Sequence, residues 1–416
     1  MTSFQSGQGI SEFLLPKQTP VRETLEGWED WRRKRKSFTP APRLDLAAWR
    51  ALSPRQRTLH DLHRTSTHSN LPLLQTPMTK AVTKLVHGRI MGNALKHKPT
   101  TRAGVMVTGG GYQGKTETVC EIIATFEDTW LELHRQLNPD AVPGSRDLHA
   151  PVAYVQTPVT AKPKSTCKAI LNFYGAPIHA RMDLPDLVRQ VAVSLQENGT
   201  KVLVLDDITR LRMHRVDDQD TLDLIRAFMS MHVTLILIGV DIPRSGLLQE
   251  GRRDPSNGQY VLPPSQHAKV HGLEPTQTQR RFDLVELDHF RYDTPQQIAA
   301  WVDHLAGIQA NLRLLKAPAD VLTGGHMPEY LFERTNGVVG ALERLIEDGC
   351  TEAMETKEES LTVDVLDHID IILEDDAGRD PDAGEIPAIP PRRSQVERKR
   401  PHNSVFDDRG PAEETG

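Results

Sequence analysis

The chain has 416 residues, with 50 basic and 56 acidic side chains and a net charge of −6. That balance excludes the global basic excess of many nucleic-acid binders, although a single basic face would still suffice for DNA. A hydrophobic fraction of 38% with 29 prolines implies tails or linkers beside the folded core, and the longest strongly apolar run, Val233 to Val240, is far short of the ~18 residues a membrane span needs.

Residues 1–45 are polar and proline-punctuated and read as a flexible segment. They lack the charged and apolar regions of a signal peptide, so a cytoplasmic protein is expected. Within them, Trp28 to Phe38 is basic and aromatic. That pattern suits phosphate contacts with stacking on a partner, or a solvated helix anchored by two tryptophans. Residues 46–100 read as helical. Ser53-Pro54 sets a cap before a proline at the first helical position, and another helix is expected near Lys80 to Met91.

Residues 101–290 alternate short Val, Ile and Leu runs with helical patterns. The runs at 104–108, 151–156, 201–206, 233–240 and 283–287 predict an α/β domain, a mainly parallel sheet with helices on both faces. Residues 291–375 read as a helical lid that opens on the cap Thr294-Pro295. Residues 376–416 are rich in proline, glycine and charge and read as a disordered tail, with Arg392 to Arg400 a candidate docking cluster. Cys120, Cys167 and Cys350 have no paired spacing, so neither a zinc site nor a disulfide framework is implied.

The chemistry centres on Gly109-Gly110-Gly111-Tyr112-Gln113-Gly114-Lys115-Thr116, which follows a strand and opens a helix that continues with Glu117. This is the phosphate-binding loop pattern in its required context. Glycines let backbone N–H groups turn inward around phosphates, and the helix beginning near Gly114 adds its positive dipole end. Lys115 would reach the β- and γ-phosphates, and the Thr116 hydroxyl would be a magnesium ligand. A second motif, Lys201-Val-Leu-Val-Leu-Asp206-Asp207, ends a strand in two carboxylates. Asp206 would hold magnesium, and Asp207 would orient or deprotonate the attacking water.

Other positions are less specific. Asp241, after the strand Thr234 to Val240, is either a turn residue or a γ-phosphate sensor. Arg280-Arg281 precedes the last strand, and Arg281 is a candidate for reaching a neighbouring subunit's nucleotide as an arginine finger. Lys162, Lys164 and Lys168 are candidates for DNA phosphate contact, against the reading of a solvated face.

The order of these motifs resembles the AAA+ ATPases. The stretches His68 to Pro77, Pro151 to Pro158, Lys164 to Leu171, Tyr174 to Pro177 and Gly337 to Leu342 narrow the resemblance to the TniB/TnsC transposition ATPases, over roughly residues 50–370. The resemblance implies a regulator of DNA transposition that binds ATP and Mg2+. It would form homo-oligomeric rings or filaments on double-stranded DNA, mark the target for a DDE-type transposase and often work with a TniQ-like adaptor. Hydrolysis would disassemble the filament.

The chain departs from that family at three points. Asp207 stands where glutamate is usual, which predicts slow hydrolysis. Val240 stands where a small polar residue is common. No arginine directly follows Gly340; Arg344 lies one turn on. The rival reading is a DNA-independent signalling switch that oligomerises on ATP binding, and a small-molecule kinase is a third. The helical lid and the candidate trans arginine speak against the kinase. The switch normally carries a long sensor repeat after its lid, which the composition of the tail does not supply.

Overall fold

A computed structural model of the protein describes residues 21–140, 150–159, 162–179, 181–210, 219–240, 242, 252–253, 260–261 and 281–371. The tail with its Arg392 to Arg400 cluster, Asp241 and Arg280 lie outside the described residues.

The apolar runs form the sheet that the sequence predicts. Its strands are β1 (Gly104–Thr108), β2 (Val152–Gln156), β3 (Val202–Asp206), β4 (Thr234–Ile238) and β5 (Phe282–Glu286). All five pair in parallel, in the order β2-β3-β4-β1-β5. Every residue of β1, β3 and β4 is buried. Successive side chains point to opposite faces, so both faces must be covered. The edge strand β5 instead buries only Phe282 and alternates half-buried Asp283 and Val285 with exposed Leu284 and Glu286. A two-residue antiparallel pairing of Arg252–Arg253 with Tyr260–Val261, which the sequence did not signal, lies between β4 and β5 in the chain.

β1 sits between β4 and β5, and the loops after the parallel strands all leave from one edge, where open α/β sheets bind ligands. The covering helices are α4 (Pro77–Ala94), α5 (Lys115–Leu137), α6 (Pro163–Phe173), α7 (Leu184–Glu197) and α8 (Gln219–Ser230). α4 packs on α5, while α6, α7 and α8 pack on one another. Among the described residues, no helix is long and apolar enough to cross a membrane.

From residue 21 on, the N-terminal segment departs from the flexible reading. Residues 1–45 read as flexible, yet α1 (Leu25–Lys34) is capped by Thr24 and buries Trp28 completely in the sheet domain's core. The Trp28 indole N–H donates to Glu127 Oε2 at 2.6 Å, Arg32 pairs with Asp128 at 2.5 Å, and Arg35 pairs with Glu121 at 3.1 Å. The basic aromatic stretch is therefore anchored on the acidic face of α5. The propensity of a short charged segment could not reveal acids that lie so far along the chain.

The lid is α9 (Pro295–Gln309), α10 (Met327–Thr335), α11 (Val339–Glu355) and α12 (Val363–Leu366). It has its own core, with Phe290, Trp301, Leu305, Phe332, Leu342 and Leu345 at the centre. The expected helical segment 46–100 divides between the two bodies. α4 belongs to the sheet, whereas α3 (Pro54–His68), which follows the short α2 (Leu46–Arg50), packs on α11. The Arg64 guanidinium on α3 grips the Glu359 carboxylate with two hydrogen bonds, at 2.6 and 3.0 Å, both partners buried. The caps read from the sequence form as expected: Ser53 with Gln56, and Thr294 with Gln297.

Candidate nucleotide-binding site

β1 delivers the chain into a loop whose backbone only glycine tolerates at key points. Gly109 has φ +148°, and a Cβ there would lie 2.3 Å from the Leu287 carbonyl oxygen and 2.4 Å from Gln113 Oε1. Gly114, at φ +70°, is the N-cap of α5 and offers no side-chain cap. No side-chain cap therefore competes with an anion at the N-terminus of α5, where the helix dipole favours one. Lys115 is buried, and its Nζ donates to the Gly110 carbonyl, folding the ammonium back across the loop. Tyr112, in the left-handed region at φ +55°, exposes its ring at the tip.

The two motifs meet. Thr116 Oγ1 donates to Asp206 Oδ2 at 2.8 Å. The Tyr154 hydroxyl donates to the same oxygen at 2.7 Å, and the Asp207 N–H donates to Asp206 Oδ1 at 2.8 Å. Asp206 is only 3% exposed, so these donors replace the water it loses. Burial pushes the Tyr154 hydroxyl pKa up, and the Asp206 charge adds to this, which keeps the phenol protonated as a donor. A hydroxyl and a carboxylate oxygen in contact form a donor set suited to a hard cation such as magnesium.

Asp207 is placed differently. It adopts φ +52°, a left-handed conformation that aspartate tolerates better than most residues. Its Oδ2 accepts from Gln156 Nε2 at 3.0 Å and pairs with Arg210 Nη2 at 2.8 Å, while Arg210 Nη1 also donates to the Thr157 carbonyl at 3.0 Å. The carboxylate is therefore engaged by two donors in this conformation. Glu117, one residue past Thr116, pairs with Arg22 at 2.7 Å.

The remaining candidates are spread around this centre. The Gly340 N–H at the head of α11 donates to the Tyr112 carbonyl at 2.8 Å, so the lid touches the phosphate loop directly. Arg344 pairs with Asp348 on its own helix at 3.3 Å and stays exposed. Val240 is exposed after β4, and Gly239 N–H bonds to the Val107 carbonyl at 3.2 Å. Arg281 is exposed just before Phe282, which pairs with Gly104 at the end of β1 far from the phosphate loop. It is therefore remote from this chain's own loop. Lys162, Lys164 and Lys168 are exposed at the start of α6, and among the described residues no acid pairs with them.

Sequence reasoning missed Tyr154, Gln156, Arg210 and Arg22. Only the first two left a signal: polar groups in an otherwise apolar strand, which must find partners when buried.

The model of the bacterial TniB protein family matches residues 81–246. Those residues are TniB-like. The segment begins within α4 and runs past the end of β4, and so contains the phosphate loop and Asp206-Asp207. No curated protein gave a match. Among solved structures, the chain is similar to the Aeropyrum pernix ORC2 protein in its ADPNP-ADP complexes, at 14% identity and a TM-score of 0.48, over 72% of this chain and 69% of that one. It is similar to the Aeropyrum pernix ORC1 protein in complex with DNA at 14% identity and a TM-score of 0.48, over 73% and 68%. Domain III of the Thermotoga maritima replication initiation protein DnaA is similar at 14% identity and a TM-score of 0.37, over 71% of this chain and 91% of that one.

Proposed function

We propose that this protein is an ATP-binding regulator of DNA transposition, assembling with ATP on double-stranded DNA and recruiting a DDE-type transposase. The observation that carries the reading is the 2.8 Å contact between Thr116 and Asp206, beside a glycine cradle and inside the TniB-like segment.

The residues divide the work. The backbone from Gly109 to Gly114 and the N-terminus of α5 would hold the phosphates, and Lys115 would exchange the Gly110 carbonyl for a phosphate oxygen. Thr116 and Asp206 would hold Mg2+, which supplies positive charge against the developing charge on the phosphates. Asp207 would orient or deprotonate water once Gln156 and Arg210 release its carboxylate. Aspartate is one methylene shorter than the usual glutamate, so hydrolysis is slow in this reading. Arg281, remote from its own loop, is assigned to a neighbouring subunit's nucleotide.

Lys162, Lys164 and Lys168 are the proposed DNA phosphate contacts; Lys164 and Lys168 lie one helical turn apart on α6, so they share a face. The transposase and a TniQ-like adaptor are the proposed protein partners, with the tail from 376 to 416 as a docking segment. The setting is cytoplasmic.

The test is light scattering and negative-stain microscopy with a non-hydrolysable ATP analogue, with and without double-stranded DNA, at fixed salt. Rings or filaments that need both nucleotide and DNA, and that vanish in Lys115→Ala, support the reading. Assembly on nucleotide alone, unchanged by DNA, removes the DNA role and favours a signalling switch.

A further inference from the structure

The Asp206 carboxylate is reached from behind by a chain of contacts that starts outside the TniB-like segment. Tyr154 lies in β2, whose pairing with β3 sets Gln156 beside Asp206 and Tyr154 beside Val204. The Tyr154 ring is nearly fully buried, so its hydroxyl must find a partner within the protein. It finds Asp206 Oδ2, the oxygen that also takes the Thr116 proton. Trp28 of α1 stacks on Tyr154, with ring centroids 6.0 Å apart and planes within 15° of parallel. The indole is in turn fixed by its bond to Glu127. The Arg22 guanidinium lies 5.6 Å from the Tyr154 ring centroid and pairs with Glu117, next to Thr116.

We infer that Tyr154 is a positioning residue for the magnesium-binding carboxylate, and that Trp28 of α1 braces it. The inference rests on the proposed role of Asp206 in holding Mg2+. Thr116 would give a lone pair of its hydroxyl oxygen to the cation and could keep its proton on Asp206 Oδ2, so its position would depend on the cation. Tyr154, which would not touch the cation, is the side-chain donor that fixes the rotation of the carboxylate, with the Asp207 N–H holding the other oxygen. A carboxylate fixed in this way loses less freedom on binding a cation, and outer partners of this kind typically set metal affinity within roughly ten- to hundred-fold. The N-terminal segment thereby becomes part of the nucleotide site rather than an appendage to it.

The experiment is a fluorescence titration of the full chain with a labelled, non-hydrolysable ATP analogue, in excess Mg2+ and in EDTA. The readout is the gain in affinity that Mg2+ confers. Tyr154→Phe keeps the ring and its stacking and removes only the hydroxyl. It is expected to cut the Mg2+ gain by roughly ten- to hundred-fold and to leave affinity in EDTA unchanged. Trp28→Leu should cut the gain in the same direction, with folding checked by circular dichroism.

Asp206→Asn separates the two ways of failing. If the wild type shows no Mg2+ gain, or Asp206→Asn retains it, the magnesium role of Asp206 falls and the positioning role with it. If Asp206→Asn loses the gain while Tyr154→Phe keeps it in full, only the positioning role is overturned. A full gain in Trp28→Leu removes α1 from the device.

Discussion

The Gly340 backbone N–H, at the first turn of the lid helix α11, donates to the carbonyl of Tyr112 in the phosphate loop at 2.8 Å. No side chain intervenes because none fits: a Cβ on Gly340 would lie 2.5 Å from that oxygen. Gly340→Ala must therefore push the lid off the loop. We expect affinity for an ATP analogue to fall by roughly tenfold, about 1.4 kcal/mol, with the circular dichroism spectrum unchanged. Calorimetric titration checks this, and wild-type affinity in the variant would mean that the contact does not set the closed geometry.

Asp207 supplies a second prediction. Lengthening the side chain by one methylene in Asp207→Glu should carry the carboxylate farther toward the phosphate loop and raise steady-state ATP hydrolysis. An unchanged or lower rate would show that reach is not what limits turnover.

The Arg64–Glu359 pair joins α3 to the lid, and both side chains are almost fully withdrawn from water. Removing Arg64 leaves the buried Glu359 carboxylate with the Leu315 N–H but without its counter-charge, and a broken buried pair typically costs about 3–5 kcal/mol. Arg64→Ala should lower the urea midpoint of the lid accordingly, as followed by the fluorescence of Trp301, which is fully buried there. A loss under about 1 kcal/mol would place the pair in the class of surface ion pairs instead.

Acid should weaken the fold through two histidines. Burial pushes the His68 and His304 imidazoles down to about 4. His68 Nε2 accepts the Arg313 N–H at 3.0 Å, which requires that nitrogen to be unprotonated. Unfolded, both rings titrate near ~6.5. Between about pH 6.5 and 4 the unfolded chain binds more protons, so stability present above that window is lost as pH falls through it. Urea midpoints should drop between about pH 7.5 and pH 5, and His304→Leu should drop less. Equal drops in both proteins would clear His304 of the effect.

The sheet and the phosphate loop were legible because their signals are local. Apolar runs of strand length and a glycine-rich turn before Lys115-Thr116 each announce themselves within a dozen residues. β1 emerged with the expected bounds, and the caps at Ser53 and Thr294 followed from adjacent residue types. The supports of Asp206 and Asp207 were not legible in the same way. Tyr154 and Gln156 become partners of those carboxylates only through the register of β2 on β3, which no linear spacing states. The anchoring of Trp28, Arg32 and Arg35 on α5 depends on acids 86 to 99 residues away. The split of residues 46–100 between sheet and lid likewise depends on a partner, Glu359, at the far end of the folded chain.

That split has a mechanical consequence. Thr39 and Pro42 accept from His63 and His60 on α3, Leu71 and Leu74 pack into the lid core, and Phe290 bonds to Gly337. The lid and the segment from about Thr39 to Leu74 thus share one core, while α1, α4 and the sheet share another, with Met78 packed against both. Among the described residues, the backbone crosses between the bodies near 35–38, 75–78 and 288–289. A lid that moved away from the phosphate loop would bend the chain at those crossings and, through the α3–α11 packing and the Arg64–Glu359 pair, carry α3 along with it.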